Sequence, residues 1–236
     1  MSRLDPRLLL QGYATGIFPM ADSRDAEELF WVEPRERAII PLDGFHLSRS
    51  LRRTIRKGRF EVTSDRDFAG VIAGCAEREE TWISADIERA MLALHASGHA
   101  HSIEVWDGPD LVGGVYGAKL GRAFFGESMF SRRRDASKVA LAWLVARLRA
   151  GNFSLLDCQF MTGHLASLGA VSLSREAYVA LLSAALGEGG GAAASGVAAG
   201  ALADFRALDR LLDATGAAGA AGPAGYVISQ LLGQTS

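Results

Sequence analysis

Arg122-Ala123-Phe124-Phe125-Gly126-Glu127-Ser128-Met129-Phe130 and, thirty residues on, Leu155-Leu156-Asp157-Cys158-Gln159-Phe160 are runs of strand-forming residues bounded by turn signals. Between them Ser137 is expected to cap a helix that buries Leu141, Leu144, Val145 and Leu148 and stops at Gly151. Leu111 to Tyr116 reads as a further strand, joined to Arg122–Phe130 by a turn around Gly121, and His101 to Trp106 alternates as another. Further out, Ser64-Asp65-Arg66-Asp67 is a capping-box variant ahead of Phe68, Val71, Ile72 and Cys75 at helical spacing. Ser84 opens a second such helix, ended by Gly98, and Ser174 opens one ended by Gly187. Strands and helices mixed in this way predict an α+β domain with a mixed sheet and flanking helices.

Before residue 60 the pattern changes. Asp5-Pro6 reads as a helix start, Ile17 to Met20 is extended, Ala38 to Leu42 looks like a short strand, and Pro and Gly are frequent. A small domain over 1–60 and a larger one over 61–236 are therefore expected. Residues 187–201 and 216–225 are Gly/Ala-rich and are expected to be flexible, with Leu202, Phe205, Leu208 and Leu212 at helical spacing between them.

Bulk charge points to no partner: 25 Lys and Arg face 27 Asp and Glu, a net charge of −2 over 236 residues. Cys75 and Cys158 match no metal or redox spacing and read as buried thiols. The apolar run Leu8–Leu10 is too short for a signal-peptide core and no stretch could span a bilayer, so a cytoplasmic location is expected. There is no phosphate-binding Walker loop, no nucleophile elbow and no zinc-binding His-Glu-x-x-His.

Four features remain. Asp157 and Gln159 alternate onto one strand face, with Leu156, Cys158 and Phe160 on the other; an acid and an amide in an apolar strand are costly unless bonded to each other or to a ligand. Glu127, among aromatics and Met129, needs a cationic partner, internal or bound. Arg49, Arg52, Arg53, Arg56, Lys57 and Arg59 form an acid-free run in which Leu51 and Ile55 supply an apolar stripe, a pattern suited to phosphate backbones. Trp31 and Trp82 sit in turn-like settings where an exposed indole can stack on a base.

These stretches together resemble the leucyl/phenylalanyl-tRNA–protein transferase family. The resemblance is carried by Gly12 to Met20, Trp31 to Pro34, Arg37, Ile39 to Leu42, His46 to Leu51, Thr81-Trp82-Ile83, His99 to Trp106, Leu111 to Gly117, Phe125 to Ser131, Ala136-Ser137-Lys138, Asp157-Cys158-Gln159 and His164 to Ala170. It implies an acetyltransferase-like (GNAT-type) second domain, no metal and no cofactor. It implies Leu-tRNA or Phe-tRNA as donor, with Met also open, and as acceptor a protein beginning with Arg or Lys, marked thereby for degradation. Phe124, Met129 and Leu156 match positions of a pocket for the donor side chain, Ser131 belongs with the substrate-binding set, and Trp31 and Trp82 match the tryptophans on the adenosine side. Val115 and Leu144 stand where longer or aromatic residues can occur, which leaves the choice of side chain open.

An aminoacyl ester is already activated and a peptide α-amine has a pKa near ~8, so positioning and removal of a proton suffice. Gln159 is expected to orient the amine, with Asp157 polarising its amide, and Glu127, with Asp157 as the alternative, to meet the cationic acceptor; the proton could leave through Gln159, water or the tRNA hydroxyl. A CoA-dependent acetyltransferase would need an Arg/Gln-x-x-Gly-x-Gly/Ala pyrophosphate loop, which is missing from the sequence, and a non-catalytic RNA-binding module would give Glu127, Asp157 and Gln159 no role.

Overall fold

The computed structural model describes residues 4–26, 28–78, 80–187, 203–217 and 221–233. In chain order the elements are α1 (Pro6–Thr15), β1 (Phe18–Met20), β2 (Phe30–Val32), β3 (Glu36–Ile39), α2 (Arg49–Arg56), β4 (Glu61–Ser64), α3 (Phe68–Ala76), α4 (Ala85–Ala96), β5 (Ala100–Asp107), β6 (Asp110–Leu120), β7 (Ala123–Ser131), α5 (Ala136–Ala150), β8 (Leu155–Gln159), α6 (Gly163–Ala166), β9 (Val171–Ser174), α7 (Arg175–Leu186), α8 (Ala207–Ala214) and α9 (Ala221–Leu231). A seven-stranded sheet runs β4-β5-β6-β7-β8-β3-β9, and β1 and β2 form a separate ribbon. All neighbours in the large sheet are antiparallel except β7 and β8. That parallel pair is the one joined through α5, as a parallel crossover requires. The α+β class with a mixed sheet and flanking helices is thus observed.

Two apolar layers cover the sheet. Leu51 and Ile55 of α2, nearly the whole of α5, and Phe205, Leu208, Leu212 and Ile228 pack on one face; α1, α3, α4 and α7 pack on the other. The central helix α5 is buried almost all round, because α2, α8 and α9 cover the side turned away from the sheet.

Strand β3 lies between β8 and β9, so residues 36–39 share a sheet with strands that follow residue 60. The change in composition near residue 60 does not coincide with a break in the hydrogen bonding. Other boundaries shift for local reasons. Asp67, not Ser64, caps α3, its carboxylate accepting from the Gly70 amide at 2.9 Å, while Ser64 ends β4. α5 begins one residue before Ser137, behind Asp135 in the left-handed region. Residues 188–201 of the first Gly/Ala-rich segment, Leu202, and residues 218–220 of the second lie outside the described residues. Residues 221–225, expected to be flexible, instead start helix α9: Gly225 has no side chain to hold α9 off the Ile55 carbonyl of α2, and Ala224, Ile228 and Leu232 are buried.

Candidate active site

β7 and β8 pair only as far as Phe125 and Asp157, although β7 continues to Ser131. A cavity of about 400 Å³ opens where they separate. Its walls are Val115 from β6, Gly126 to Met129 from β7, Leu141 and Leu144 from α5, and Leu156, Cys158 and Gln159 from β8, with Arg78, Trp82, Phe160, Thr162, His164 and Leu165 completing the rim. Of the site residues named from the sequence, Met129, Leu156, Val115, Leu144, Glu127, Gln159 and Trp82 therefore line one cavity.

Phe124 is not among them. It is buried elsewhere, its ring stacked on Phe205 at 5.7 Å and edge-on to Phe153, as part of the core beneath α5. Ser131 lines a second, adjoining cavity. Trp31 is also off the cavity and 41% exposed on β2, where its ring lies over Gly12; any side chain at residue 12 would overlap it.

The strand alternation expected for Leu155–Phe160 breaks at its end. Gln159 has φ +62°, the left-handed region that a residue with a side chain rarely adopts. The chain turns there, so Cys158, Gln159 and Phe160 all reach the same cavity.

Asp157 holds that turn. It is fully buried and accepts the Gln159 backbone N–H at 2.8 Å. The Arg37 guanidinium donates to both its oxygens at 2.6–3.1 Å, and the Tyr178 hydroxyl donates at 2.9 Å. Arg37, 1% exposed, also donates to the Gly16 carbonyl at 3.0 Å and lies 4.7 Å from the ring centres of both Phe18 and Tyr178. Burial alone would lower the Arg37 pKa, but the bond to Asp157 and its charge outweigh that and raise it. Arg37 thereby ties α1, β1, β3, β8 and α7 into one unit.

This corrects the expected pairing. Asp157 does not bond the Gln159 side-chain amide and is too enclosed to meet an acceptor's cation. The Gln159 amide nitrogen donates instead to Glu127 Oε1 at 2.9 Å, leaving the amide oxygen as an acceptor. Glu127 is the one carboxylate on the cavity wall among the described residues. Burial pushes its pKa up to about 8; the Tyr13 hydroxyl opposes this, the Asp157 charge adds to it, and Arg37 and the Gln159 amide oppose it. Cys158 is no nucleophile, since burial, and then the Asp157 charge, raise its thiol pKa far above neutrality.

Tyr13, Tyr178 and His164 carry no signal of their own in the sequence beyond lying within or beside the matched stretches. Arg37 carries one, a charge placed directly before the apolar run Ala38-Ile39-Ile40.

The basic run forms α2 and its flanks. Leu51 and Ile55 are buried as expected, and none of the six cations has an ion-pair partner among the described residues. Arg49, Arg52, Arg53, Arg56 and Lys57 line a groove with Tyr226 of α9, and Arg56 also donates to Ser229 at 3.0 Å.

Residues 2–35 match the family model for the leucyl/phenylalanyl-tRNA protein transferase N-terminal domain, and residues 39–183 match that for leucyl/phenylalanyl-tRNA protein transferase. A leucyl/phenylalanyl-tRNA–protein transferase of Rhizorhabdus wittichii is 58% identical over the full length of both chains. Relatives of the same description from Cereibacter sphaeroides and Zymomonas mobilis are 63% and 61% identical, each over 78% of this chain and over 86% and 70% of their own. A solved structure of L-PGS from Bacillus licheniformis aligns with 70% of this chain and 56% of that one at 12% identity and TM-score 0.38, a likeness too slight to place the fold. No helix among the described residues is long and apolar enough to cross a membrane. By these matches along its length, the chain belongs to the leucyl/phenylalanyl-tRNA–protein transferase family, whose members are aminoacyltransferases.

Proposed function

We propose that the enzyme moves Leu or Phe, and also Met, from aminoacyl-tRNA to the α-amine of proteins that begin with Arg or Lys, in the cytosol, with degradation of the product as the consequence. The observation that carries this reading is an apolar cavity, walled by Val115, Met129, Leu141, Leu144, Leu156 and Leu165, with Glu127 and Gln159 on its wall. The aliphatic wall receives the donor side chain, and desolvation excludes charged ones. The splayed parallel pair β7–β8 that houses the cavity also supports an acetyltransferase-type reading of the fold.

The amine nitrogen attacks the ester carbonyl carbon, the bond to the ribose oxygen breaks, and one proton passes from nitrogen to that oxygen. Gln159 accepts a hydrogen bond from the amine through its amide oxygen. Glu127 relays the proton: a carboxyl with a pKa of about 8 is matched to an α-amine near ~8, so neither transfer is steeply uphill. Approach of a cationic first residue lowers that pKa again and favours the carboxylate. Asp157 and Arg37 do not touch substrate in this scheme; they position Gln159. Trp82 at the rim stacks the terminal adenosine, and the exposed Trp31 of β2 offers a second stacking surface for the tRNA end.

The direct test is transfer of labelled Leu from Leu-tRNA to a peptide beginning with Arg. Transfer is expected, with Val-tRNA disfavoured by about 1–3 kcal/mol for the missing methylene and no transfer from Asp-tRNA or Lys-tRNA. Equal use of a charged donor would sink the pocket assignment.

The acid-free face of α2 meets tRNA phosphates in this reading. Arg49, Arg53 and Lys57 recur at every fourth residue and share one exposed stripe, whereas Arg56 is partly engaged by α9. Replacing those three by Gln should flatten the log–log salt dependence of tRNA binding by about 0.7–0.9 per lost contact. An unaltered slope would make the stripe a solvated surface.

A further inference from the structure

Beside the catalytic cavity lies a second one of about 350 Å³, with Arg78, Met129 and His164 common to the walls of both. Its own wall adds Ser131 at the end of β7, Arg132, and Ser137 in the first turn of α5. Arg78 is held across the shared wall by donating to the Met129 carbonyl at 2.7 Å, and no carboxylate among the described residues pairs with it. Glu77, the only acid on this wall among the described residues, is taken up by Arg132 at 2.5 Å. The cavity is thus left with positive charge.

One polar group on it lacks a partner. His164 Nε2 is a buried nitrogen with no hydrogen bond. Burial, and then the Lys138 charge, lower the His164 pKa and favour the neutral ring, whose one N–H can sit on Nε2. Ser137, 8% exposed, lies on the same wall. A buried donor without a partner, beside a guanidinium that no carboxylate pairs, suits an anion with several oxygens.

We infer that this second cavity binds the phosphate on the 5′ side of the donor's terminal adenosine. The inference rests on aminoacyl-tRNA being the donor. The acceptor cannot be the occupant, since it enters by a cationic end that two arginines would repel. On the donor, the phosphate nearest the ester is one sugar away, which matches a site sharing three wall residues with the aminoacyl cavity. Arg78 also shares the first cavity's wall with Trp82, the side chain on which the base stacks in this reading. The phosphate anchors the sugar, and through it the ester, over Gln159 and Glu127.

The test uses two stable donor analogues, 3′-leucylamino-3′-deoxyadenosine and its 5′-monophosphate, with binding to the whole protein measured by calorimetry. The phosphate is expected to tighten Kd at least about tenfold, as a charge-assisted contact should. Arg78→Met and His164→Leu should each remove most of that gain, weakening the phosphorylated analogue at least about fivefold more than the unphosphorylated one. Equal Kd values for the two analogues in the wild-type protein overturn the inference, as do variants that weaken both analogues alike. Failure of both analogues to bind, while Leu-tRNA is still turned over, overturns it too. Absence of any transfer from Leu-tRNA would instead overturn the functional reading on which the site rests.

Discussion

Asp157→Asn is expected to lose about 3–5 kcal/mol of folding stability, the cost of leaving one member of a buried ion pair without its counter-charge. Asn keeps the shape and can still accept the Gln159 N–H. It cannot neutralise Arg37, which is 1% exposed and has Asp157 as its sole carboxylate partner among the described residues. The Gly16 carbonyl and the Phe18 and Tyr178 rings remain as partners, but none carries a full negative charge. A loss of that size is a large share of an ordinary domain's stability. Urea unfolding with an unchanged m-value measures it. The paired replacement Arg37→Met with Asp157→Leu should recover much of the loss, because it removes both charges together. If Asp157→Asn alone stays within about 1 kcal/mol of wild type, water reaches the pair and the enclosed ion pair is not what holds the turn at Gln159.

Glu127→Gln should slow single-turnover transfer about 10²-fold at pH 8, the low end for a positioned proton acceptor. Its pH profile separates this from a packing defect. Below pH 8 both the acceptor amine and Glu127 must lose a proton in the wild-type enzyme, so log kcat/KM climbs with a slope approaching two. In the variant only the amine titrates and the slope approaches one. Stability moves the other way. Glu127 binds its proton more tightly when folded, with a pKa of about 8 against an ordinary carboxyl value of 4.5, so its contribution is complete below pH 4.5 and is lost as pH rises through 8. Gln has no proton to lose, and at pH 9 the variant should melt at least about 3 °C above wild type. A variant with the wild-type rate and slope would return Glu127 to a structural role.

Much of the site was legible before any coordinates. Glu127, Met129, Leu156 and Gln159 lie in strands flanking one helix, and short-range pattern is enough to mark those strands and the helix between them. What misled was regularity. Alternation assumes an extended backbone, and it fails where Gln159 takes a positive φ because Asp157 and Arg37 stabilise the turn. Phe124 illustrates the same limit: its strand was correctly expected, but which layer its ring enters depends on Phe153 and Phe205, one of them 81 residues away. The start of α9 was obscured because a Gly/Ala-rich composition fits both a flexible segment and a closely docked helix; contact with α2 decides between them.

The amino-acid order by itself determined the four long strands β5 to β8 and the helix starts at Asp5, Ser84 and Ser174, because these depend on neighbours within a few residues and on side-chain period. It also determined the chemical inventory: one acid-free basic run, two tryptophans in turn-like settings, a carboxylate on one strand and an acid with an amide on another. Only the tertiary structure decided the partners. That Arg37 neutralises Asp157 across 120 positions, that Glu127 is desolvated into the range of an amine's pKa, and that β7 and β8 part to open a cavity all follow from burial and from contacts between distant segments. Electrostatic energies grow as water is excluded, and how much water is excluded is a property of the packed molecule, not of any stretch of its chain.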